Sequence, residues 1–107
     1  MNYSSRNWEA VESTDLVGSK HVLTVTGEVE VRKLNEVPKL GGAHPQGISP
    51  ATLILNLSVD GASETGPDAL GWKPVEYVRE ISSRQYKDVT IRGETDEQTV
   101  TVEEILS

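Results

Sequence analysis

The stretch KHVLTVTGEVEVRK, residues 20–33, alternates with a period of two. Leu23, Val25, Val29 and Val31 fall on odd positions with Gly27 in the same register, and Thr24, Thr26, Glu28, Glu30 and Arg32 on even ones. Successive side chains of a strand point to opposite faces, so this pattern describes a strand with one face on a core and the other in water. Its Val and Thr content suits a pleated, half-buried surface. Gly27 weakens a strand interior unless geometry requires it, which predicts a bulge or bend at that position.

Reading toward the C-terminus, VPKLGGAHPQGISP (37–50) holds three prolines and three glycines and reads as a loop. ATLILNLSV (51–59) is a second strand, with Leu53, Leu55, Leu57 and Val59 on one face. Ile54 on the opposite face predicts that this outer side is partly covered. DGASETGPDALG (60–71) is a second long loop. WKPVEYVREIS (72–82) fits two templates. Trp72, Val75, Val78 and Ile81 recur at helical spacing with Pro74 in a first turn, whereas Val75, Tyr77 and Ile81 share a strand face. The strands on either side favour the strand reading. YKDVTIRG (86–93) and TVTVEEI (99–105) alternate on either side of GETDEQ and read as a β-hairpin.

Toward the N-terminus, residues 1–19 are polar and Ser-rich, with Trp8, Val11, Leu16 and Val17 as the larger apolar residues. They read as an extended, partly flexible arm preceding a single β domain at 20–107. The fold class is therefore all-β, a small antiparallel β-sandwich or partly open barrel of five to seven strands. The alternative is α+β with one helix at about 74–84.

At 107 residues the chain can bury one core without metal or disulfide staples. It has no Cys, which removes thiolate nucleophiles, disulfides and Cys-based metal sites. A net charge of −7 argues against nucleic acid and anionic membrane partners, because both need clustered Lys and Arg. The first twenty residues lack the basic start and apolar run of a signal segment, and a soluble, cytoplasmic protein is expected.

If consecutive strands alternate in direction, the segments 34–50 and 82–85 share one end of the domain, and the arm, 60–71 and 93–98 share the other. The second end then gathers Asp60, Glu64, Asp68, Glu94, Asp96 and Glu97. Asp60, Glu64, Asp68 and Asp96 are weak cation candidates, since the D-x-D-x-D-G order of a calcium loop is missing. No metal or other cofactor is expected.

His44, in GGAHPQG, is the one histidine in a loop where a binding or catalytic group is well placed. His21 opens the first strand as a rim residue. No G-x-S-x-G turn, S-x-x-K pair or phosphate loop is present. The expected function is a non-catalytic domain that binds another protein, through the loop 37–50 with His44, Pro45, Gln46 and Gly47. The prolines lower the entropy lost on docking. An exposed strand edge offers a second route, with the chain a monomer or weak homodimer. The alternative is a small-ligand or cation binder at 60–71 and 93–98, with Trp72 as a stacking residue. The favoured role for Trp72 itself is to cap a core that has no Phe. A third reading is a small enzyme using His44.

Overall fold

The structure, a computed structural model, describes residues 4–15, 18, 20–44, 46, 49–61, 68–93 and 96–106, with the backbone alone for Asp68, Ala69 and Leu106. It is all-β. Seven strands follow in chain order: β1 (Ser5–Asp15), β2 (Lys20–Lys33), β3 (Val37–Gly42), β4 (Thr52–Asp60), β5 (Asp68–Ile81), β6 (Asp88–Arg92) and β7 (Glu97–Leu106). They form one sheet in the order β3-β4-β6-β7-β1-β2-β5. The outermost strands, β3 and β5, pack against each other, so the sheet is nearly closed into a barrel. Its long axis of 47 Å matches the length of the two 14-residue strands, β2 and β5, at about 3.3 Å per residue. Among the described residues no helix is long and apolar enough to cross a membrane.

The alternation at 20–33 sets the interior. Leu23, Val25 and Val29 are fully buried and Val31 nearly so. Leu53 and Leu55 of β4 face them, with Val89 and Ile91 of β6 and Val75 and Ile81 of β5. Each such side chain contributes about 1.5–3 kcal/mol of burial. Residues 72–81 are strand throughout, antiparallel to β2 from His21↔Ile81 to Val31↔Gly71, so the helix at 74–84 is not formed. Pro74 is accommodated because β5 is a terminal strand of the sheet order, where a missing amide is tolerated. The β6–β7 hairpin pairs Asp88↔Thr101 through Arg92↔Glu97.

Three features depart from the expectations. The segment read as an arm forms β1, an interior strand between β2 and β7. The segment read as a loop at 37–50 begins as β3, paired from Val37↔Asp60 to Gly42↔Leu55. Prolines and glycines are tolerated there because β3 lies at the end of the sheet order. Finally, two pairings, β1–β7 and β4–β6, are parallel rather than antiparallel. β5 supplies the crossover that a parallel β4–β6 pair requires.

The extra strand β3 also changes the ends. β1, β3, β5 and β7 run one way and β2, β4 and β6 the other. The β4–β5 and β6–β7 connections share an end, as expected, but the β2–β3 turn joins them there. Residues 43–51 and 82–87 share the opposite end with the β1–β2 connection. β2 therefore starts, not finishes, at the end that holds His44.

Gly27 is explained by its neighbour rather than by a bend in its own strand. The β2–β5 register runs unbroken through Gly27↔Val75. The irregularity is on β1, where the register shifts between Arg6 and Glu9 and Asn7 takes a left-handed φ of 57°. Asn is one of the few side chains that tolerate this region. The extra residue turns Trp8 inward. Its indole lies so close to Gly27 that a Cβ there would sit 2.3 Å from the ring. Gly27→Ala is therefore expected to destabilise the fold by about 2 kcal/mol or more, through overpacking against Trp8. Gly71→Ala, where a Cβ meets nothing within 4 Å, should leave stability within about 0.5 kcal/mol. Urea denaturation of both variants measures the difference.

Candidate functional site

The segment 43–51 positions its side chains differently from one another. His44 is exposed and, among the described residues, has no hydrogen-bond or ion-pair partner. Gln46 is bound to the scaffold. Its Nε2 donates to the carbonyls of Ala43 (2.7 Å) and Ile54 (3.0 Å), and its Oε1 accepts from the Ile54 amide at 2.9 Å. One side-chain amide thus prolongs the β3–β4 ladder by a step. Gln46 is a structural residue, not a free contact. Pro45 and Gly47 lie outside the described residues.

Trp72 is on the outer face of β5, half-buried, not in the core. The Arg6 guanidinium stacks over its ring at 3.9 Å. Parity explains this, since Trp72 pairs with Glu30 on the solvent face of β2. The core tryptophan is Trp8 instead. Its indole Nε1 donates to the Ser5 hydroxyl at 2.9 Å.

Of the cation candidates, Asp60 is ion-paired with Lys39. Asp96 is exposed and its carbonyl accepts the Gly93 amide at 2.8 Å, closing the β6–β7 turn. Neighbouring Glu97 pairs with Arg92 at 3.1 Å. Glu64 and Glu94, and the Asp68 side chain, lie outside the described residues. Among the described residues no three His, Cys, Asp or Glu side chains converge as a metal set.

Two buried carboxylates were missed in the sequence. Glu36 closes the β2–β3 turn, accepting the amides of Arg32 (2.7 Å) and Lys33 (2.8 Å). Lys73 reaches the same turn from β5, its Nζ donating to the carbonyls of Leu34 (2.7 Å) and Glu36 (2.6 Å). Glu12 sits at the other end of the barrel, beside His21. Its Oε2 lies 3.3 Å from His21 Nδ1 and accepts the Arg84 amide at 3.2 Å, while Oε1 is buried without a partner. Thr14 Oγ1 is 3.1 Å from the same His21 Nδ1. Hydroxyl and carboxylate thus converge on one ring nitrogen. A nucleophile relay needs them on opposite nitrogens. The cluster tethers the β5–β6 turn, where Arg84 has a left-handed φ of 52°, and is not arranged for nucleophilic attack.

The signal for Glu12 was present in part. Trp8, Ala10, Glu12 and Thr14 share one parity, so reading residues 5–15 as a strand would have placed a carboxylate inside.

On the outer face, Glu28 accepts hydrogen bonds from Asn7 Nδ2 (2.7 Å) and Arg6 Nε (3.1 Å). The Asn7 bond first, and the Arg6 bond next, hold its carboxyl below the usual carboxylate range. Comparison of the chain with protein-family models, with curated proteins and with solved structures finds no match.

Two outcomes follow from these contacts. Gln46→Ala should cost about 1–2 kcal/mol in urea denaturation, and His44→Ala should stay within about 0.5 kcal/mol. For Glu28, a depressed folded pKa means that its contribution is present above the unfolded pKa and lost as pH falls through the folded one. Carboxyl-carbon NMR titration should place its midpoint below that of ordinary glutamates. Asn7→Gly, which keeps the left-handed backbone accessible, should move that midpoint upward, and Arg6→Ala should do so by less.

Proposed function

We propose that the protein is a non-catalytic β domain that acts by binding another protein, with its contact at the β2–β3 turn and the start of β5. One observation carries this reading. Leu34, Val37 and Leu70 are 61%, 47% and 76% exposed and belong to the same end of the barrel. Leu34 lies in the turn and Val37 opens β3 after it, and Leu70 adjoins Gly71, which pairs with Val31 near the end of β2. Lys73 and Glu36 fix that turn, so the aliphatic side chains are presented on a rigid support. Exposed aliphatic groups on an ordered frame characterise docking surfaces. This contact keeps only Val37 from the expected segment 37–50, because Gln46 is committed to the scaffold. Strand addition is less favoured, since β3 and β5 face each other and a new strand would compete with barrel closure.

The test is site-specific photo-crosslinking in the native host. A photoreactive residue at Leu34 or Leu70 should give a discrete adduct, absent when the probe is at exposed Asn56 of β4. Excess unlabelled protein should compete the adduct away, whereas excess Leu34→Ser/Leu70→Ser protein should not. Equal competition by both proteins, or equal adducts from Asn56, overturns the assignment.

A further inference from the structure

β7 changes partner in mid-strand. Its first half pairs with β6 as far as Thr101↔Asp88, and its second half joins β1 from Ala10↔Val102 onward. Residues 5–9 of β1 and 97–101 of β7 therefore face each other without a shared ladder. Gln98 Nε2 donates across the gap to the Ser5 hydroxyl at 3.1 Å and ties the strands together at its far end. Between them lies a groove of about 300 Å³. Trp8, Ala10 and Val100 form its floor, and Glu9, Thr101 and Glu103 its rim. Parity places them so. Trp8 and Ala10 are buried inward-facing residues viewed through the opening, while Glu9, Thr101 and Glu103 are exposed.

We propose that this groove binds an extended peptide segment through an arginine side chain, a site separate from the aliphatic end. The floor and rim have the required chemistry. Guanidinium stacks on aromatic rings and binds carboxylates through a planar fork, and its three-methylene stem suits an apolar floor. Among the described residues the Glu9 and Glu103 side chains have no ion-pair or hydrogen-bond partner, so both are available to a cation. Strand edges that share no ladder give an extended backbone something to pair with. The chain's net charge of −7 favours approach of a cationic segment.

The probe is a capped Ala-Arg-Val-Arg-Ala peptide, with the Ala-Glu-Val-Glu-Ala and Ala-Ala-Val-Ala-Ala peptides as controls. Titration into isotope-labelled protein should give saturable amide shifts confined to residues 8–11 and 100–103, together with a shift of the Trp8 indole N–H. In the Trp72→Phe background, fluorescence then reports Trp8 alone. Glu9→Gln and Glu103→Gln should each weaken binding about fivefold. The Glu76→Gln/Glu80→Gln variant, on the outer face of β5, should change it less than twofold. Three outcomes overturn the proposal: no shifts with the arginine peptide, equal shifts with the alanine peptide, or equal weakening by the Glu76→Gln/Glu80→Gln pair. The last would reduce the effect to long-range attraction by a negative protein.

Discussion

The packing of the Trp8 indole on Gly27 is the constraint to which the rest of the structure answers. The chain has no Phe, and Trp8 is its one buried tryptophan. That ring fits only because β2 offers a bare backbone opposite it, and it points inward only because β1 carries one residue more than its partner. The same irregularity places Asn7 and Arg6 on the outside, where both bind Glu28 and Arg6 reaches Trp72. One local insertion thus orders an inner contact and an outer cluster together.

The barrel is closed at its ends by polar groups rather than by further apolar packing. Lys73 reaches the β2–β3 turn across the junction of β3 and β5, and Glu36 satisfies two amides of that turn. At the opposite end Glu12 collects His21 and the Arg84 amide. A buried carboxylate is costly unless hydrogen-bonded. Glu36 meets this condition with two amide donors. Glu12 meets it at Oε2 alone and leaves Oε1 buried without a partner, which marks the weaker of the two closures.

The architecture was legible wherever alternation was uninterrupted. β2 and β4 follow from parity alone, as does the β6–β7 hairpin. β1 was not legible because the extra residue at Asn7 breaks the count, so Ser5 and Ala10 face the same side across an odd separation. β3 was hidden by Pro38, Gly41 and Gly42, which an end strand of the sheet tolerates and local rules assign to loops. That omission reversed the expected position of His44 relative to the start of β2. Trp72 was misplaced because its face depends on the register with Glu30, which composition does not contain. Gln46 was legible as a polar loop residue but not as a substitute for backbone, since its bonding to Ile54 exists only once β3 and β4 are paired.

The divided allegiance of β7 has a consequence for how the chain reaches this state. One of the two neighbours of β1 is a strand that begins some 90 residues later in the chain. Without β7, Ala10 and Trp8 lack their neighbour on that side, and the β3–β4–β6 half is joined to the β1–β2–β5 half through the packing of β3 on β5 and the connecting segments. Long-range closures of this kind are slow, because the entropy of a large loop is lost before any contact compensates it. Closure of the sheet therefore depends on β7, whose pairing with both β6 and β1 joins its two halves edge to edge.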